Sequence, residues 1–209
     1  METEKKYKLT DEYRTIRCIK LYRIEALKDF GAVHKGDKGG FIGSEKNLSQ
    51  KGDCWVYGDA EVYDNAMVWG NADIYGDAMV WGNAVVCGNA KVCGNADIYG
   101  NAKVSGNVHV FGNAVVYDNA RVFGDAEVYG NASVIGNARV VNNADYIVFK
   151  NWWSSGRYFT WTRSNNMWRV GCFYGTGEEL IAKAYRDSNL SGREYERVVK
   201  YVESILKED

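Results

Sequence analysis

The sequence predicts an all-β solenoid of about five stacked coils, in which short strands run parallel. First, the unit Gly-Asn/Asp-Ala-x-Val-y repeats every six residues through 56–144. Second, a β-branched residue stands at every sixth position from Val56 to Val140, and an alanine follows four residues later, with Val108 as the only substitution. Third, a unit this short can bury its apolar residues only against neighbouring units, so the units must stack.

Each six-residue unit supplies one strand and one corner. Side chains alternate across the Ala-x-Val stretch, so Ala and Val point inward and x points outward. Gly followed by Asn or Asp forms the corner, because Gly adopts left-handed backbone angles without steric cost and Asn and Asp tolerate them. Each unit is one side, or leg, of a coil, and three legs of equal length close into a three-sided coil of 18 residues. Positions i and i+18 therefore lie directly above one another.

The segment before the repeats predicts an N-terminal, β-rich cap over residues 1–55, ahead of a repeat domain over 56–145. Residues 15–24 favour strands, and the run KGDKGG is a turn before Phe41 and Ile42. GGFI, then NLSQ, then GDCWVY in that order resemble the start of YdcK-type bacterial hexapeptide-repeat proteins. The resemblance implies a left-handed parallel β-helix with a capped N-terminus, and its acyltransferase label rests on analogy.

The chain after the repeats predicts a small C-terminal module over 146–209. Residues 146–151, 156–163 and 167–174 read as strands, and 178–187 and 192–207 read as helices, giving a β-β-β-α-α order. GCFYGT followed by a Tyr-containing helix resembles a module found after such repeats in bacterial and phage proteins. That resemblance implies a phage- or prophage-encoded inhibitor or decoy of a host factor.

Composition favours a cytoplasmic protein without nucleic-acid or membrane partners. The 209 residues carry a net charge of −1, so no global field attracts nucleic acid. No apolar run reaches the ~18 residues of a membrane span, and the N-terminus is charged. The five cysteines are odd in number and form no CxxC pair, which indicates a reducing compartment.

Stacking residues 18 apart predicts two surface features. The aromatic column, Tyr63, Trp81, Tyr99 and Tyr117, follows one edge with Ile135 below it. It is expected to lie outside, as a partner-binding edge or as a ladder of rings that only stabilises the sheet. The basic column, Lys103, Arg121 and Arg139, continues a face that begins with Met67 and Val85. It could pair with an acidic protein or with a nucleotide phosphate.

The sequence favours a non-catalytic binding or scaffold protein that recognises another macromolecule, most readily a protein, through these columns. One alternative is a trimeric hexapeptide acyltransferase using acetyl-CoA, with His109 as the candidate general base; another is a nucleotide-binding sponge. His109 stands in an unbroken repeat without an insertion that would build a pocket. Two histidines in the chain cannot supply a three-histidine zinc site. We expect no metal and no cofactor, and assembly as a dimer or trimer stays open.

Overall fold

The computed structural model describes residues 4–208, which form two compact units, 4–143 and 144–208. The first unit begins with three strands, β1 (Tyr7–Ile16), β2 (Ile19–Ala26) and β3 (Lys38–Ile42). β1 and β2 form an antiparallel hairpin, and β2 also pairs antiparallel with β3. The β1–β2 hairpin forms the β-rich cap expected from the sequence, whereas β3, predicted as part of the cap, also joins the solenoid.

Fifteen short strands then follow, one for each repeat unit. They are β4 (Trp55–Val56), β5 (Glu61–Val62), β6 (Met67–Val68), β7 (Asp73–Ile74), β8 (Met79–Val80), β9 (Val85–Gly88), β10 (Lys91–Val92), β11 (Asp97–Ile98), β12 (Lys103–Gly106), β13 (His109–Val110), β14 (Val115–Val116), β15 (Arg121–Val122), β16 (Glu127–Val128), β17 (Ser133–Val134) and β18 (Arg139–Val140). Every third strand joins the same sheet. The first sheet is β1-β2-β3-β5-β8-β11-β14-β17, the second is β16-β13-β10-β7-β4, and the third is β18-β15-β12-β9-β6.

The 18-residue stacking is confirmed. Val62 pairs with Val80, and Val104 pairs with Val122, in parallel register. The alanines and branched residues of the repeats fill the interior without solvent exposure, Ala96 and Ile98 among them. Identical legs leave only this register, because a slip by one residue would turn every inward side chain toward solvent.

The corners depend on left-handed backbone angles. Gly88 has φ +74°, and a Cβ there would lie 2.8 Å from the backbone N of Gly106 in the next coil. Asp64 and Asp118 replace glycine at two corners and keep φ at +56° and +58°. Asparagines one coil apart also form hydrogen-bonded ladders, which tie successive corners together.

The ladder extends upstream of the regular repeats. Ile42 of β3 pairs in parallel with Val62, and Leu48 forms a parallel bridge to Val68. The solenoid therefore has about six turns, one more than the repeat units alone provide. Eight residues instead of six separate Leu48 from Val56. The two extra residues make a wider turn before β4.

The C-terminal unit has four antiparallel strands followed by two helices: β19 (Tyr146–Lys150), β20 (Tyr158–Thr162), β21 (Met167–Val170), β22 (Phe173–Gly175), α1 (Gly177–Asp187) and α2 (Asn189–Glu208). The third predicted strand is in fact a hairpin, because Gly171 takes a φ of +57° and turns the chain back. Thr176 caps α1, with its hydroxyl accepting from the backbone N of Glu179.

The C-terminal unit has its own core, in which the two helices and the sheet bury a set of aromatic and aliphatic side chains: Phe159, Trp161, Trp168, Val170, Leu180, Val199 and Val202. Across residues 4–208, no helix combines the length and the apolar character that a membrane crossing requires.

Candidate functional site

The outer face of the third sheet combines exposed apolar residues with exposed cations. Met67 and Trp69 in its first repeat coil are 47% and 49% exposed. Val85, one coil further, is half-buried in the same column. Large apolar side chains this accessible next to each other are typical of interaction surfaces. We call this surface the third face.

The basic column occupies the other part of the third face. Lys103 pairs in register with Arg121, and Arg121 pairs with Arg139, so the three cations stand one strand apart, at about 4.8 Å per layer. All three are exposed, and the Arg139 guanidinium lies 5.3 Å from the Phe123 ring centroid. Within residues 4–208, no carboxylate forms an ion pair with Lys103 or Arg121. Their charge is available to an acidic partner.

The aromatic column on the first sheet is stacked as predicted. The rings of Trp81 and Tyr99 lie 4.5 Å apart and 11° from parallel, and those of Tyr99 and Tyr117 lie 4.7 Å apart and 10° from parallel. Tyr63 stacks above Trp81 at 6.1 Å. This geometry is the intramolecular ladder that stabilises neighbouring strands.

The exposure predicted for the aromatic column is wrong at its upper end. Tyr63 is only 2% exposed, and Trp81, Tyr99 and Tyr117 are half-buried. Alternation does place these side chains outside the coil, but the β1–β2 hairpin folds over Tyr63 and Trp81. Leu21 and Phe41 bury Tyr63, with Ile16 and Ile19 packed alongside. Ile135, below the column, is buried as well.

Trp81 is held by three neighbours. Its indole Nε1 donates to Asp97 Oδ1 at 2.7 Å, Tyr99 stacks below it, and the Arg17 guanidinium lies 5.0 Å from its ring. Burial raises the pKa of Asp97, although the indole N–H and the Arg17 charge oppose that rise. The Trp81 indole is therefore engaged in contacts within the protein.

The β1–β2 hairpin is also anchored to the repeat strands of the first sheet by an ion pair. Arg14 Nε lies 2.8 Å from Glu61 Oε1, and the Arg14 guanidinium stacks 3.9 Å from the Phe41 ring. Burial raises the pKa of Glu61, and the nearby Arg14 charge lowers it by a smaller amount. The outer face of the first sheet is therefore part of the interior near its cap.

The second sheet carries the sequence-predicted catalytic candidate. His109 is exposed on a strand, with Lys91 on one side and Glu127 on the other. A shallow depression of about 350 Å³ on this sheet is lined by Tyr57, Asp73, Tyr75 and Lys91, and it does not include His109. His109 thus stands exposed between two charged neighbours and outside this depression.

Tyr57 and Tyr75 at that depression are both held in the neutral form. Burial, with the Asp73 carboxylate next, raises the pKa of Tyr57 to about 12. A hydrogen bond with Cys93, followed by burial, raises the pKa of Tyr75 to about 12. In the part of the chain that the structure describes, no three His, Cys, Asp or Glu side chains come together as a metal site requires.

Comparison with known proteins identifies the repeat. The YdcK β-solenoid repeat family matches residues 74–88, which span β7 to β9. The chain carries YdcK-type β-solenoid repeats. An Escherichia coli (strain K12) protein named "Uncharacterized acetyltransferase YdcK" is 38% identical over 61 residues, which is 25% of this chain and 19% of the relative. The chain thus spans about a fifth of the length of that curated relative.

The structure keeps the basic column together and separates it from the aromatic column. Lys103, Arg121 and Arg139 share one sheet of the YdcK-type solenoid, whereas Tyr63, Trp81, Tyr99 and Tyr117 line another. The sequence pattern did not assign Met67 and Trp69 to a binding site, although they share the third face with the basic column. Met67 begins the 18-residue column that ends in the cations, and Trp69 begins the neighbouring column; these places were the signal that could have found them.

Proposed function

We propose that the chain is a non-catalytic recognition protein whose third face binds an acidic surface of a protein partner. One observation carries the proposal: exposed apolar side chains at one end of this face and the exposed cations of the basic column at the other share a flat, rigid sheet. The first sheet offers no such surface, because its cap covers it near Tyr63. The second sheet mixes Asp73, Lys91, His109 and Glu127, whose charges offset one another.

The physical basis is complementarity with little loss of conformational freedom on binding. The face stands on parallel strands whose backbone is fixed by successive coils, so little backbone entropy is lost when a partner docks. Trp69 and Met67 supply apolar contact area, and aromatic side chains frequently dominate binding energy. Lys103 and Arg121 steer an acidic partner and set its orientation. A protein acting in this way could serve as an inhibitor, a decoy or a scaffold.

The proposal is tested by affinity capture from a bacterial lysate with charge-reversed variants. Lys103→Glu combined with Arg121→Glu should abolish capture of the partner that the wild type retains, and raising salt from about 0.05 M to 0.5 M should weaken it. Lys91→Glu is the matched control, since Lys91 is an exposed cation at the equivalent strand position of the second sheet. Equal capture by the double variant and the wild type would refute the assignment of the third face.

The relative's name makes acetyl-CoA the competing ligand to test. An acetyltransferase would bind acetyl-CoA in a calorimetric titration and would lose turnover in His109→Ala. The exposed, flat setting of His109 favours the binding proposal, in which acetyl-CoA gives no heat of binding. A saturable acetyl-CoA isotherm would replace the recognition proposal with the enzymatic alternative.

A further inference from the structure

A buried amine and a buried thiol meet where the cap joins the first turn of the solenoid. Lys6 is 1% exposed and Cys54 is fully buried. Lys6 Nζ donates to the carbonyl oxygen of Cys54 at 2.8 Å and to that of Gly52 at 3.2 Å, and it lies 3.4 Å from Cys54 Sγ. Cys54 lies in the wider turn between Leu48 and Val56. The carbonyl groups of Gly52 and Cys54 in this turn need a hydrogen-bond donor, and the Lys6 amine supplies it.

Burial favours the neutral form of both groups. It lowers the pKa of the Lys6 amine and raises the pKa of the Cys54 thiol, while each group's partner opposes the shift. Both shifts favour the neutral amine and the neutral thiol over the charged pair. A neutral amine has a free lone pair and is the nucleophilic form of lysine.

Small molecules can reach the Lys6 amine and the turn directly before Cys54, although Cys54 itself does not line the cavity. A cavity of about 530 Å³ is lined by Lys6, Phe30, Gln50, Gly52 and Asp53, among others. Lys6 Nζ also lies 4.8 Å from the Phe30 ring centroid, at the wall of this cavity. The cavity is far larger than a peroxide molecule, which needs about the space of one or two waters.

We propose that Lys6 and Cys54 form a reversible covalent cross-link, a sulfenamide S–N bond, when the protein meets hydrogen peroxide. The neutral Lys6 amine first takes the proton of the Cys54 thiol, because the thiolate is the form that attacks a peroxide. The thiolate becomes a sulfenic acid, and the hydroxide released from the peroxide takes the proton back from the Lys6 ammonium to form water. The Lys6 nitrogen then attacks the sulfur, the S–O bond breaks, and hydroxide leaves with the proton that the amine gives up, as a second water. In sum, thiol, amine and one peroxide yield the S–N bond and two waters.

The cross-link would fasten the start of the cap to the solenoid. Lys6 directly precedes β1, and its backbone N already donates to Gln50 Oε1 at 2.7 Å in the same wide turn. A covalent bond between residues 6 and 54 closes a long loop and restricts the unfolded chain, as a disulfide does. Dithiothreitol would reverse it by attacking the sulfur and releasing the amine.

The test is peptide mass spectrometry of the full chain after treatment with hydrogen peroxide. We expect a linked peptide pair that joins residues 6 and 54, is lighter by two hydrogens than the two free peptides together, and disappears with dithiothreitol. We also expect the melting temperature to rise by about 5–10 °C on oxidation and to return on reduction. A pair that retains an oxygen atom, or Cys54 oxidised to sulfinic acid without a linked pair, would overturn the proposal.

Two variants separate the cross-link from general oxidation. Lys6→Arg keeps several N–H donors but offers no nucleophilic amine, so it should give no linked pair and no reversible rise in melting temperature. The Cys18→Ser, Cys172→Ser double variant removes the two exposed thiols and should cross-link as the wild type does. Loss of the linked pair in this double variant would refute the direct reaction at Cys54. The wild-type result stands by itself if Lys6→Arg does not fold.

Discussion

The first and third sheets of the solenoid are built from the same six-residue unit, yet their outer faces differ in how far they are exposed to solvent. On the first sheet the outward residues are drawn into the fold: Tyr63 lies beneath the β1–β2 hairpin, and Trp81 donates to Asp97. On the third sheet Trp69 and Arg121 face solvent. The difference teaches that the repeat determines only the interior. What covers the outside determines which variable residues stabilise the protein and which remain available to a partner.

The largest expected effect comes from removing the tryptophan of the first sheet. Trp81→Ser should lower the free energy of unfolding by about 3–4 kcal/mol, because it removes a packed indole and leaves the half-buried Asp97 without its donor. Urea denaturation monitored by circular dichroism measures this. A loss below about 1 kcal/mol would mean that the hairpin does not hold this residue.

The same change on the third sheet should affect binding and not folding. Trp69→Ser should weaken partner binding roughly 10- to 100-fold, as expected for a central aromatic contact, and should change the free energy of unfolding by no more than about 0.5 kcal/mol. Tyr129→Ser is the matched control, since Tyr129 is 50% exposed at the equivalent position of the second sheet. Equal weakening of binding by both variants would show that the third face is not the specific binding surface.

A pH titration sharpens the comparison, because buried carboxylates occur on the first sheet and none stands in the basic column. Burial raises the folded-state pKa of Asp97 above its ordinary value of 3.8. Its contribution to stability is therefore present at acidic pH below that value and is lost as pH rises through the folded pKa. Asp97→Asn should remove this pH-dependent contribution to the free energy of unfolding.

The measurement is the difference in the free energy of unfolding between wild type and Asp97→Asn from about pH 4 to pH 7. The wild type should gain relative to the variant as the pH falls. A difference that does not vary with pH, or one that moves the other way, would show that Asp97 is not desolvated.

The smallest effect concerns the corners between strands, among them the corner at Asp118 that connects the first sheet to the third. Asp118 holds a φ of +58° where most corners have glycine, so Asp118→Gly should relieve local strain and stabilise the protein by about 0.5 kcal/mol. Asp125→Gly, at a corner position outside the left-handed region, should destabilise it by a similar amount. Thermal unfolding of both variants checks the sign.

The sequence predicted the interior well and the covering poorly. The pairing of Val62 with Val80 follows from identical legs that bury Ala and Val in only one register. The burial of Tyr63 depends on contacts with Leu21 and Phe41, far along the chain and without any period that a sequence pattern can show. Lys6 was equally hidden, because a lysine is ordinarily exposed and only the wide turn near Cys54 explains its burial.

The most direct test of the central claim places one photo-reactive side chain on each of the two faces. Val85 on the third sheet and Val115 on the first are both half-buried outward valines, so p-benzoylphenylalanine at either position probes an equivalent site. Irradiation of the protein with its captured partner should give a cross-linked species from position 85 and none from position 115. Cross-linking from position 115 alone, or equally from both, would contradict the assignment of recognition to the third face.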